Sequence, residues 1–106
     1  MTAYVLFDNV EVTDAAGLAR YAEGAARTVA DHGGRYLAVA AQPEALEGEF
    51  ALTSAVLIEF PDLATARAWY DSAAYQPFKA LRHRSARNTA VLFSGAEAPR
   101  DSQARP

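Results

Sequence analysis

Residues 55–84 read AVLIEFPDLATARAWYDSAAYQPFKALRHR, and this stretch decides the fold. Its opening, AVLIEF, is a β-rich run that is apolar at both parities apart from Glu59, the pattern of a strand with no wet face. Pro61-Asp62 then interrupts the run and offers a carboxylate N-cap. Leu63, Ala66, Tyr70 and Ala73 follow at helical spacing, with Trp69 at the edge of that stripe. The pattern breaks near Ser72 and resumes from about Tyr75, where Tyr75, Phe78 and Arg82 share one face. A strand buried on both sides needs two covers. A chain of 106 residues can supply one of them, so the stretch predicts a self-associating protein with a pocket.

Working outward, residues 4–12 (YVLFDNVEV) read as a first strand, apolar at both parities and interrupted by Asp8 and Asn9. Thr13-Asp14 offers an N-cap for a helix whose apolar positions are Leu18, Tyr21, Ala22, Ala25 and Val29. Gly33-Gly34 ends that helix. Residues 35–41 (RYLAVAA) form the second strand, 42–50 a connection marked by Pro43 and Gly48, 54–60 the third strand and 89–93 (TAVLF) the last. A shorter helical segment spans about 75–85. The expected organisation is one domain over residues 1–95 and a disordered, proline-bearing tail over 96–106.

The order strand–helix–strand–strand–helix–strand is that of a ferredoxin-like α+β sandwich, with both helices on one face of a four-stranded antiparallel sheet. Such a sheet with one wet face should alternate cleanly. Here Val5 and Phe7 alternate with Tyr4, Leu6 and Val10, and Leu57 with Val56, Ile58 and Phe60. Leaving the helix-free face in water would expose several large side chains, at about 1.5–3 kcal/mol each. Such a patch marks an interface. The expected assembly is a homodimer closed sheet to sheet, a dimeric α/β barrel.

Composition narrows the function classes. There are no cysteines, which excludes disulfides, thiolate metal sites and a thiol nucleophile. A net charge of −3 with dispersed basic residues gives no footprint for nucleic acid. No apolar run approaches the roughly 18 residues of a membrane span, and no secretory signal is expected ahead of the first strand. The expectation is a soluble cytoplasmic protein whose partner is itself, with a possible small-molecule ligand.

Taken together, YVLFDNVEVTD, HGGRYLA, LEGEF, VLIEFPDLATARAWYDSAAYQPFKALR and the closing VLFSG resemble the domain of unknown function family numbered thirteen-thirty, of the dimeric α/β-barrel superfamily. The resemblance covers about residues 4–95 and is most specific over 59–82. It implies the fold, the dimer and a cavity between helices and sheet. The wider superfamily includes cofactor-independent monooxygenases, heme-degrading enzymes, isomerases and stress-responsive proteins, so an activity follows only by analogy. Val39 and Ser54 stand where the resemblance leads one to expect arginines, implying a less cationic pocket and a poorer fit for a strongly anionic ligand.

Five residues are candidates for ligand contact. Arg82, on an apolar stripe, must be paired or must snorkel; it either clamps a carboxylate or enolate oxygen or closes an ion pair with Glu59 or Asp71. Glu59, at the end of an apolar strand, is either a base with a raised pKa or the ionised partner of Arg82. Asn9 and Asp8 point to opposite faces, so at most one enters a cavity; Asn9 could orient a carbonyl, as an asparagine does in some superfamily oxygenases, or bond a neighbouring loop. Trp69 either walls a pocket or serves as packing or a dimer contact. Tyr75 either presents its hydroxyl to a cavity or buries its ring. Tyr21 reads as core.

His32 at a helix C-terminus and His83 within RHR carry no metal spacing. Lys79 falls near the place where heme-degrading relatives carry a histidine, so no cofactor is expected. Two readings follow. In one, the protein acts without a cofactor on a small, mostly apolar, oxygen-bearing metabolite. In the other, it is a non-catalytic dimeric module. A cavity of roughly 300 Å³ or more lined by the candidates separates them.

Overall fold

The computed structural model describes residues 1–49 and 53–96. Phe50, at the end of the expected connection, and the expected tail beyond Ala96 lie outside the described residues. The elements are β1 (Ala3–Val12), α1 (Ala15–Asp31), β2 (Arg35–Ala41), β3 (Ala55–Phe60), α2 (Leu63–Asp71), α3 (Gln76–Ser85) and β4 (Ala86–Ser94). The second helical region is thus two helices, separated at Ser72, whose extended backbone caps α2. The last strand begins three residues earlier than the apolar run that announced it, because Ala86–Asn88 continue the pairing with β1.

The sheet order is β2-β3-β1-β4, with every pairing antiparallel. The two runs that are apolar on both faces, β1 and β3, therefore take the centre. Register places Val5 opposite Ile58 and Leu92, and Phe7 opposite Val56 and Ala90. This face lies under the helices. Ala3, Val5, Phe7, Ile58 and Phe60 on it are buried together with Ala66, Trp69 and Tyr75. The intervening residues form the other face: Tyr4 opposite Glu59 and Phe93, Leu6 opposite Leu57 and Val91. Val91 and Phe93 remain 53% and 47% exposed, and the Tyr4 and Phe93 rings lie 5.7 Å apart. An apolar surface faces water, as the double-sided strands predict.

Both N-caps act as read. Asp14 Oδ1 accepts from the Gly17 amide and Asp62 Oδ1 from the Thr65 amide. Gly33, at φ 74°, takes the left-handed position that ends α1 without Cβ strain. The buried stripe of α2 is rotated from the expected one: Ala66 and Trp69 are buried, while Leu63 is 42% exposed. Trp69 is at the centre of the core, not at its edge, its ring set among those of Phe7, Phe60 and Tyr75.

α1 leans on α3 more than on the sheet. A Cβ on Gly24 would lie 2.0 Å from the Phe78 ring, so glycine is what permits that approach. The Ser85 carbonyl at the end of α3 accepts from Thr13 N, Asp14 N and Thr13 Oγ1. These contacts fix the start of α1 and hold its middle away from β1–β3. The space beneath is the candidate site.

Candidate functional site

The site is built around Arg82. The α3 periodicity that places Tyr75 and Phe78 inward carries Arg82 with them, and it is 2% exposed. Its Nη1 donates to Asn88 Oδ1 at 2.5 Å, and Asn88 Nδ2 donates to Asn9 Oδ1 at 3.4 Å. The guanidinium carbon lies 4.6 Å from the centre of the Phe7 ring and 5.9 Å from that of Tyr21, within the range of cation–π attraction. Among the described residues no carboxylate pairs with it, and its Nε has no hydrogen-bond partner. Both structural partners expected for it, Glu59 and Asp71, are elsewhere.

Arg82 and Asn9 border a cavity of about 240 Å³, whose other walls are Phe7, Tyr21, Ala22, Ala26, Tyr36, Val39, Val56 and Ile58. The floor is the helix-side face of β1 and β3. The roof is α1, where alanines leave room. Ala22 and Ala26 are exposed, as is Val39 at 65%, so the cavity opens between α1 and the edge strand β2. Asp8, one residue from Asn9, points away as alternation requires and accepts from the Thr53 and Ser54 amides. The cavity is smaller than the roughly 300 Å³ expected of a pocket for a drug-sized ligand.

Three of the five candidates do not line it. Glu59 sits on the helix-free face and bonds Arg35 Nε at 2.7 Å, because strand alternation sends it opposite to Ile58; neither a cavity base nor a partner of Arg82 is found there. Trp69 is fully buried. Its ring lies 4.2 Å from Tyr75 and 5.3 Å from Phe60, and its Nε1 donates to Thr28 Oγ1 at 2.9 Å. Tyr75 is fully buried as well, its hydroxyl 2.8 Å from that of Tyr21. It stands behind the wall rather than in it. Tyr21, read as core, is the wall.

Tyr36 and Asn88 were not singled out by sequence reasoning. Tyr36 was legible in principle, since it shares parity with no polar residue in RYLAVAA. Asn88 carried no signal, falling ahead of the apolar run taken as the last strand. The tyrosines are held neutral. Burial, with Tyr75 beside it, pushes the Tyr21 phenol well above its usual range. Burial raises Tyr36 to about 12. Burial also raises Tyr75, against the opposing pull of Arg82. His83, whose Nε2 lies 3.4 Å from Arg82 Nη2, is lowered by desolvation and by the charges of Arg82 and Lys79. Among the described residues no cluster of three or more His, Cys, Asp or Glu could hold a metal ion, and no helix is long and apolar enough to cross a membrane.

This architecture is shared with solved structures at low sequence identity. A protein of unknown function from Rhodopseudomonas palustris superposes with a TM-score of 0.71 at 12% identity, over 91% of this chain and 83% of that one. SnoaB, a cofactor-independent oxygenase from Streptomyces nogalater, gives 0.62 at 13% identity, over 94% and 96%. A dimeric ferredoxin-like protein of unknown function from Jannaschia sp. CCS1 gives 0.59 at 16% identity, over 90% and 100%. These likenesses are of fold. No curated protein matches the sequence significantly. The sequence model of the family described as "Domain of unknown function (DUF1330)" matches residues 2–96, and the chain belongs to that family.

Proposed function

We propose, for this member of the DUF1330 family, that the cavity under α1 binds a small, mostly apolar, oxygen-bearing molecule without a cofactor, in a protein that pairs with a second copy through its helix-free face. The observation that carries the reading is the lining: apolar side chains on nearly every side, with Asn9 and a buried Arg82 at one end. That is the composition of a binding site, a hydrophobic enclosure with few orienting polar groups. Its size calls for a ligand smaller than first expected.

The same lining limits the chemistry. Among the described residues it holds no carboxylate and no imidazole, and burial keeps its two tyrosines neutral, so none of them is a ready base. What the site can do is orient an oxygen through Asn9, donate from Tyr21, and stabilise negative charge at that oxygen with Arg82. A reaction would have to begin from a substrate that is itself easily ionised. SnoaB, described as a cofactor-independent oxygenase, is a precedent for such chemistry on this fold and not for these residues. The non-catalytic reading gains from Trp69 and Tyr75, whose rings are buried in the core.

For assembly, the support is the row Tyr4, Leu6, Leu57, Val91 and Phe93 on the open face, together with the dimeric relative from Jannaschia. Two experiments test these proposals. Compounds that raise the melting temperature in a thermal-shift screen of aromatic and polyketide-like metabolites should fail to do so for Ala26→Leu, which narrows the mouth; hits that bind both proteins alike would place the site elsewhere. Light scattering at micromolar concentration should show twice the chain mass, and Phe93→Lys should halve it. A wild-type monomer would remove the assembly.

A further inference from the structure

The geometry points to a singly charged anion as the ligand's polar end: a monocarboxylate or a comparable enolate or phenolate, whose negative charge completes an ion pair that the protein leaves open. This deepens the reading above and rests on it. The argument begins with desolvation. A guanidinium that is 2% exposed has given up most of its hydration, which is costly unless a counter-charge replaces it. The partners present are neutral: Asn88 Oδ1 on Nη1, the His83 ring near Nη2, the Tyr75 hydroxyl and the faces of Phe7 and Tyr21. Among the described residues no carboxylate reaches it, and Nε is buried without an acceptor.

The cation is nonetheless held in place. Asn88 sits opposite Asn9 in the β1–β4 register, so one short polar link fixes the guanidinium and an amide that both border the cavity. Arginine cannot relieve its situation by losing a proton. The remaining way to neutralise it is for an anion to arrive from the cavity side. Charge counting sets the ligand class, because among the described residues no other cationic side chain borders the cavity. One positive charge in an apolar chamber matches one negative charge, and a second would be buried unpaired. The apolar walls then require that the rest of the molecule be hydrocarbon-like.

Calorimetric titration of the full chain at neutral pH with benzoate, its neutral isostere benzamide and the dianion isophthalate tests this. Wild type should bind benzoate about tenfold or more tightly than benzamide, the contribution of charge-assisted hydrogen bonds, and isophthalate no more tightly than benzoate. Arg82→Gln should erase the preference for benzoate while leaving benzamide binding within about threefold. Asn88→Asp keeps the arginine and gives it an internal counter-charge; it should melt no lower than wild type and also lose the preference. Equal binding of benzoate and benzamide by wild type would overturn the inference while leaving the cavity as a binding site. So would a preference that survives in either folded variant, and tighter binding of isophthalate would overturn the single-charge count. If neither benzoate nor benzamide binds wild type, the small-molecule reading fails, and this inference with it.

Discussion

The two halves of the helix layer cover the same sheet in opposite ways. Around Trp69, under α2, the packing is dense: Trp69 is stacked against Phe60 and Tyr75 and meets Phe7 edge-on, with its one polar atom satisfied by Thr28. A smaller hollow of about 170 Å³ lies only toward β4, between Val5, Ala66, Tyr70 and Leu92. Beneath α1 the same strands face alanines and a hollow of about 240 Å³. Phe7 belongs to both, touching Trp69 on one side and Arg82 on the other. The difference teaches that the hollow is built by holding α1 on α3, through Gly24 against Phe78 and the Ser85 carbonyl, rather than by a shortage of apolar material.

The contrast can be broken most forcefully on the solid side. Trp69→Ala should cost about 3–5 kcal/mol, measured by urea unfolding, since the ring is fully buried and Thr28 Oγ1 would lose its donor. A loss below about 1 kcal/mol would mean that this half is not close-packed. Alkaline pH probes the boundary next. Tyr21, Tyr36 and Tyr75 have folded-state pKa values raised above 10.0, so the folded form binds more protons than the unfolded form above that pH. Their contribution is therefore full below pH 10 and is lost as pH rises, in the case of Tyr36 through about 12. Phenolate absorbance should show Tyr36, at the open cavity, ionising before Tyr21; the reverse order would put water on the wrong side of the wall.

The gentlest perturbation is at the entrance to α1. Asp14→Ala removes the cap bond to the Gly17 amide and should cost about 1 kcal/mol. Hydrogen exchange should quicken in the first turns of α1 and leave β1 and β3 unchanged. Faster exchange in those strands would show that the two halves are one cooperative unit.

Much of this contrast was legible beforehand and some was not. Strands with apolar residues at both parities announced the centre of the sheet and its open apolar face, and Asp14 and Asp62 announced where helices start. The inward stripe of Tyr75, Phe78 and Arg82 was readable because α3 is regular. The assignment of Glu59 and Trp69 to a pocket failed for two reasons. Parity tells which residues share a face, but only the register reveals that Glu59 meets Arg35 rather than Arg82. Helical spacing likewise shows that Trp69 is near a stripe, but the rotation of that stripe depends on the distant rings it meets, Phe7 and Phe60. The Arg82–Asn88–Asn9 link joins residues 79 apart in sequence and has no local signature at all.

Alternation along β1 has a final consequence. Phe7 and Asn9 border the chamber while Tyr4 and Leu6 belong to the bare side of the same strand. Two chains joined across that bare side would carry their openings on opposite outer surfaces, each served by its own residues. Occupancy would then follow a simple hyperbola, with two equivalent sites that fill without reference to one another.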